Sequence, residues 1–266
     1  MLRENYRKVT SEAEGVGPTR KRYDIINVVR LKRVRKEGRF FMFPLRDTIT
    51  YHGATIATIG LMVLNGLVFF YQLSLGFDLQ GEIFYAFGFI PYAFFQNPAG
   101  EFYTIFSSMF VHGSFMHLLS NVWFLWVFGP AVEGRLGFSR FMLLYLLSGV
   151  AAALTQGFAL PDSIIPMVGA SGAVSGLLGA YLLLFPRARV LTIIPPFIFF
   201  FFWLPVPIYL GYWIILQFFY VFIDVAGIAW WAHIGGFFLG LVLILILRPK
   251  RNYKADPFWE CWRDYC

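Results

Sequence analysis

From Ala54 onward the chain alternates long apolar runs with short breaks marked by proline or polar residues. Apolar runs of roughly 17–25 residues with few charges predict membrane-crossing helices. Six are expected: Ala54 to about Phe77, Ser114 to Val132, Phe138 to Phe158, residues 169 to 185, Pro207 to Ile223, and Ile228 to Leu247. Residues 78–104 are rich in aromatic residues but interrupted by Pro91 and Pro98, so they are expected to form a loop that lies in the membrane interface. GPAVEGRLG, with Glu133 and Arg135, predicts a short loop, and residues 159–168 with Asp162 another. Residues 190–206, broken by Pro195, Pro196 and Pro205, predict an irregular interfacial piece.

The fourth run stands apart. GASGAVSGLLGAYLLLF ends at Pro186, with Arg187 and Arg189 just beyond it. As a helix rising about 1.5 Å per residue it reaches roughly 24 Å, short of a hydrocarbon core about 30 Å thick. Anchored by arginines at one end, it leaves its other end below the opposite surface. That end carries Ser171.

Composition supports the membrane class: 58% of the residues are hydrophobic, 20% aromatic and only 14% charged. Charge fixes an expected orientation. Residues 1–47 hold 13 Lys/Arg and 6 Asp/Glu, which accounts for the whole net charge of +7. With six spans and both termini cytoplasmic, every Lys and Arg falls in or beside a cytoplasmic segment, the positive-inside pattern. The expected fold class is therefore all-α: a polytopic membrane protein with six transmembrane helices. It divides into a basic cytoplasmic arm (1–50), a six-helix membrane domain (51–247) and a cytoplasmic tail (248–266). The arm suits anionic lipid headgroups, or serves only to set orientation; nothing resembles a nucleic-acid reading module. No apolar segment with a small-residue cleavage site opens the chain, so no cleaved signal is expected. Cys261 and Cys266, both in the tail, read as free thiols in a reducing compartment.

Polar groups inside hydrocarbon are costly and mark function. Here they are His117 and Asn121, Ser171 and Ser175, Gln217, and His233. Alternating helix directions bring His117, Ser171 and His233 to a similar depth on the outer side. A serine hydroxyl needs an adjacent base to act as a nucleophile, and a neutral His233 can take its proton, giving a Ser–His dyad. His117 and Asn121, spaced i, i+4, share a helix face and can donate to a developing oxyanion, with the amides that open the serine helix, Ser171's included. Close contact of the fourth and sixth helices is expected from Gly172, Gly176 and Gly179 facing Ala232, Gly236 and Gly240. Taken singly, each group has a plainer explanation. Ser171 can cap or pack, His233 can bond a carbonyl, Asn121 can join helices, and Ser175 and Gln217 fit packing and an interhelical hydrogen bond. The combination at one depth is what points to chemistry. His112 is read as a brace for the approach to the second span. No metal and no cofactor is expected, since no Cys, Asp or Glu clusters with the histidines.

At these residues the chain resembles the rhomboid family of intramembrane serine proteases, in its six-span bacterial-type form. The matching stretches are HLLSN (His117 to Asn121), Gly129, Glu133 and Gly137 as GxxxExxxG, GASG from Gly169 to Gly172, and AHIGG around His233. The resemblance implies Ser171 as nucleophile, His233 as base, and His117 with Asn121 in the oxyanion region. It also implies a cavity opening outward from the cell membrane (plasma or inner), and cleavage of other proteins' transmembrane segments. Two positions depart from the family pattern: Tyr103-Thr104 stands where Trp-Arg is frequent, and Ser175 where some members carry a tyrosine that packs on the histidine.

Two other classes fit the polar cluster. A catalytically silent binder of membrane proteins would tolerate loss of Ser171. A small transporter would use the cluster as a relay and show repeated halves, which the sequence lacks by eye.

Overall fold

The computed structural model describes residues 42–247 apart from 51–54, 195–196, 224 and 226. Most of the basic arm, the tail with Cys261 and Cys266, and Ala54 at the start of the first expected span lie outside the described residues.

The chain is mostly helical. Strand β1 (Phe43–Asp47) leads to helix α1 (Ile56–Ser74), then to four shorter helices, α2 (Phe77–Phe87), α3 (Pro91–Gln96), α4 (Pro98–Glu101) and α5 (Thr104–Ser107). Helices α6 (Phe115–Leu136) and α7 (Phe138–Ala159) follow, then α8 (Ser171–Leu184), strands β2 (Arg189–Ile194) and β3 (Phe197–Pro205), α9 (Val206–Phe222) and α10 (Trp230–Leu247). Four of these, α1, α6, α7 and α10, are long and apolar enough to cross a membrane; α8 and α9 are apolar but shorter. Large apolar side chains lie exposed along the outer faces, among them Leu67 and Phe70 on α1, Phe222 on α9 and Ile246 on α10. Water would not tolerate so much apolar surface, and lipid does. This is the build of a polytopic membrane protein.

Three expectations need correction. The fold is not purely helical, because β1, β2 and β3 form an antiparallel sheet in that order. The stretch expected to be irregular, VLTIIPPFIFFFFWLP, is dense in β-branched and aromatic residues on either side of Pro195-Pro196, and such composition favours two strands. The end of the arm supplies the third, with Phe43 opposite Ile193 and Asp47 opposite Val190. Second, GPAVEGRLG is not a loop: α6 runs through it to Leu136, with Pro130 inside the helix and Glu133 buried. Its polarity is satisfied by a neighbouring helix rather than by water. The Glu133 carboxylate accepts from the Ala57 amide at 2.8 Å, and from the Thr58 amide and hydroxyl at 2.7 Å each. It thereby caps the otherwise unpaired amides that open α1. Third, the interfacial stretch after α1 is a chain of short helices rather than loop.

Helix α8 is the centre of the molecule. Every residue from Gly172 to Tyr181 is buried, so the helix is covered all round rather than on one face. It packs on α6, α7 and α10. The contact with α10 is a backbone contact: a Cβ on Gly236 would collide with the Gly172 carbonyl oxygen, and one on Gly240 with that of Gly176. Without a hydrophobic drive between helices in lipid, such close approach of small residues is what holds them together. At the far end of α8 the Tyr181 hydroxyl donates to Asp47 of β1, while Trp123 Nε1 donates to the Pro44 carbonyl at 2.6 Å and the Tyr209 hydroxyl to that of Met42 at 3.1 Å. The sheet is thus fastened to α6, α8 and α9 at the end opposite Ser171.

Candidate active site

Ser171, His117 and His233 stand near the N-terminal ends of α8, α6 and α10, so all three gather at one end of the bundle. Their placement has local causes. Gly169 holds φ at +115°, a conformation that side chains with a Cβ avoid, and its amide donates to the Ser108 carbonyl at 2.8 Å. This turn aims the chain so that α8 opens on Ser171. Ser114 caps α6, its hydroxyl oxygen accepting from the His117 amide at 3.1 Å.

His233 Nε2 lies 2.8 Å from Ser171 Oγ. On its other side His233 Nδ1 lies 2.8 Å from Gln217 Oε1 on α9. The imidazole is flanked by two indoles, Trp213 with its centroid at 6.0 Å and Trp230 at 5.9 Å and nearly perpendicular. Both Ser171 and His233 are half-buried, and Ser171 lines a cavity with Met167, Gly169, Gly172, Ala229 and Ala232. A serine that lines a cavity, with a base in contact with its hydroxyl, is the arrangement that acyl transfer needs.

His117 and Asn121 reach the same place from α6. A Cβ on Gly169 would sit 2.5 Å from His117 Nε2 and 3.5 Å from Asn121 Nδ2. Only a glycine leaves room for them beside the turn that carries Ser171. Asn121 is buried, and its Nδ2 has no hydrogen-bond partner among the described residues, so it offers a spare donor beside the first amides of α8.

His112 stands behind His117, the two rings 5.2 Å apart. It is buried, its Nδ1 donates to the Phe110 carbonyl at 3.1 Å, and its backbone is clamped from both sides by Gln72 of α1 at 3.1 and 3.2 Å. Burial first, and then the neighbouring His117, push its pKa down to about 4. Gly236, one turn after His233 on α10, faces the carbonyl of Gly172, the neighbour of Ser171, and Gly240 faces that of Gly176. Glu133 and Arg135 are not in the site. They lie at the far end of α6, about 24 and 27 Å from His117 along a helix rising about 1.5 Å per residue.

Sequence reasoning placed Gln217 in a helix contact without finding its partner. An amide in an apolar run was the signal; that it meets His233 depends on how α9 packs on α10. Ser175, one turn after Ser171, donates to the Ser171 carbonyl at 2.6 Å.

The rhomboid domain family model matches residues 99–250 of the chain. The chain is 38% identical over 97 residues to Rhomboid protein 1, mitochondrial, of Saccharomyces cerevisiae, covering 35% of this chain and 28% of that one. It is 37% identical over 114 residues to Rhomboid-like protein 11, chloroplastic, of Arabidopsis thaliana, covering 42% and 40%. Rhomboid protease GluP of Bacillus subtilis matches at 37% over 83 residues, covering 31% of this chain and 16% of that protein. The matched stretches thus span well under half the length of these relatives. The domain match takes in α5 through α10 and all of the residues just described around Ser171, and on that ground the chain belongs to the rhomboid family.

Proposed function

We propose that the chain is an intramembrane serine endopeptidase that cleaves transmembrane segments of other membrane proteins through a Ser171–His233 dyad. The observation that carries this reading is the 2.8 Å approach of His233 Nε2 to Ser171 Oγ, beside a cavity that Ser171 lines. Ser171 Oγ attacks the scissile carbonyl carbon and passes its proton to His233 Nε2. The tetrahedral oxyanion is held by Asn121 Nδ2, His117 and the first amides of α8. Collapse breaks the C–N bond, the amine leaves with the proton from Nε2, and an acyl-enzyme remains. Water then attacks the ester carbonyl, giving a proton to Nε2. Ser171 Oγ leaves and takes that proton back, releasing the product as a carboxylic acid, which then loses its proton to water.

In this reading α8 and α9 complete six spans with α1, α6, α7 and α10. Residues 1–50 and 248–266 face the cytoplasm, and the cavity opens to the extracytoplasmic side of the cell membrane. The confinement of every Lys and Arg to one side in this arrangement supports that orientation. Gly236, Gly240 and Gly172 hold the helices together, Gly169 makes room for the oxyanion donors, and Glu133, with Arg135 in the same last turn, and His112 support the frame.

The test is cleavage of a single-span substrate by the protein in liposomes, together with labelling by a fluorophosphonate probe. Ser171→Ala and His233→Ala are each expected to lose about a thousandfold or more in both. Folded wild type that neither labels nor cuts would leave a binder of membrane proteins rather than a protease, and wild-type labelling and cleavage after Ser171→Ala would remove Ser171 as the nucleophile.

A further inference from the structure

A dyad leaves open what holds the histidine in its working tautomer. A neutral imidazole carries one N–H, on either nitrogen, and only the form with a lone pair at Nε2 can accept the serine proton. Nothing about Ser171 decides this, because a hydroxyl donates or accepts equally well. The decision lies on the other side of the ring.

Gln217 is buried, and its amide makes two contacts. Nε2 lies 2.9 Å from the Trp213 carbonyl oxygen, one turn back on α9, and Oε1 lies 2.8 Å from His233 Nδ1. A backbone carbonyl only accepts, so the atom facing it must be the NH2 group; the reversed amide would set two oxygens against each other. Oε1 therefore faces His233. That oxygen also only accepts, so Nδ1 carries the proton and Nε2 presents its lone pair to Ser171 Oγ at 2.8 Å.

We infer that Gln217 is a positioning residue for catalysis, fixing His233 as the Nδ1–H tautomer through an amide whose own orientation is set by the Trp213 carbonyl. This rests on the Ser171–His233 reading. Gln217 transfers no proton. When Nε2 takes the serine proton, Nδ1–H stays on the ring and the Gln217 carbonyl dipole faces the new imidazolium charge. A carboxylate would do the same more strongly but would bury a permanent charge at membrane depth, whereas an amide meets only the transient one. The two indoles limit tilting of the ring between its bonded nitrogens. Ser175, whose hydroxyl is directed to the Ser171 carbonyl, leaves this task to α9.

The test compares Gln217→Met, which keeps the volume and removes the acceptor, with Gln217→Glu, whose neutral acid keeps an O–H for the Trp213 carbonyl and a carbonyl acceptor for His233 Nδ1. A hydrogen bond to a charged group corresponds to roughly ten- to a hundredfold in rate, so kcat in Gln217→Met is expected to fall by that factor with KM within about twofold of wild type. Gln217→Glu is expected to recover most of the rate. Nitrogen-15 NMR of histidine-labelled protein in micelles, with the His233 signals assigned by their loss in His233→Ala, reads the tautomer directly. Wild type and Gln217→Glu are expected to show a protonated Nδ1 and bare Nε2, and Gln217→Met a mixture. A merely structural role would move stability and not this signature. Wild-type kcat and an unmixed tautomer in folded Gln217→Met would overturn the inference. If Gln217→Met does not fold, Gln217→Glu decides alone: the Nδ1–H signature with a rate near wild type supports the role, and loss of either in a folded protein refutes it. Ser171→Ala and His233→Ala run in parallel, and full fluorophosphonate labelling in those would remove the dyad itself rather than the role of Gln217.

Discussion

Gly236→Ala tests whether the backbone contact between α8 and α10 sets the geometry of the dyad. The added Cβ would overlap the Gly172 carbonyl oxygen and stand only 3.0 Å from the Gly172 carbonyl carbon. These are backbone atoms of a helix buried on every side, so no rotamer change relieves the overlap. The helices must part by about 1 Å, which in cores of native density costs roughly 1–3 kcal/mol. His233 lies three residues before Gly236 on the same helix, and Ser171 adjoins Gly172. Moving α10 as a body carries the 2.8 Å contact of His233 with Ser171 out to roughly 4 Å, past the range of a hydrogen bond. Displacement of about 1 Å at a reacting centre is worth roughly a hundredfold in rate. The assay is the rate of fluorophosphonate labelling in liposomes beside the thermal unfolding midpoint, with two glycine controls. Gly66→Ala on α1 and Gly211→Ala on α9 each meet nothing within 4 Å and should label at the wild-type rate. Wild-type labelling and an unchanged midpoint in Gly236→Ala would refute the claim that this contact spaces the dyad.

Three further outcomes are expected. Asn121→Ala removes one oxyanion donor and should lower kcat by about a hundredfold with little change in KM, in a cleavage assay with the single-span substrate; an unaltered kcat would move the oxyanion site elsewhere. Glu133→Gln sets an NH2 group against amides that need an acceptor, and should cost about 3 kcal/mol in unfolding measurements while sparing the labelling rate at permissive temperature. His112 has a folded pKa of about 4 against an ordinary value of 6.5, so below pH 6.5 the unfolded chain binds a proton that the folded chain refuses. Stability should therefore be full above pH 6.5, fall as pH drops from 6.5 toward 4, and level off below. His112→Asn should flatten part of that slope, and an unchanged slope would assign it to other groups.

Much of this protein is written in its order of residues. Apolar runs longer than a membrane is thick can only be helices there, because every backbone amide in lipid must be paired within its own segment. That constraint makes α1, α6, α7 and α10 legible from hydropathy, to within a few residues at each end. Glycines three and four apart on two helices can face each other, and the pairing of Gly172 and Gly176 with Gly236 and Gly240 follows that rule. Helix direction alone brings Ser171, His117 and His233 to one end. What only the tertiary structure decided concerns groups whose partners are distant in the chain. Glu133 looks like loop polarity until the start of α1, 75 and 76 residues away, supplies its donors. The sheet exists only because residues 43–47 meet residues 189–194, and strand pairing has no local signature of its partner. Gln217 could have bonded any neighbouring helix; the packing of α9 on α10 turned it to His233. A sequence states which groups need a partner, since desolvation penalises each one regardless of context. Which partner each obtains is a property of helix packing, and in this chain that choice reaches the proton of the candidate base.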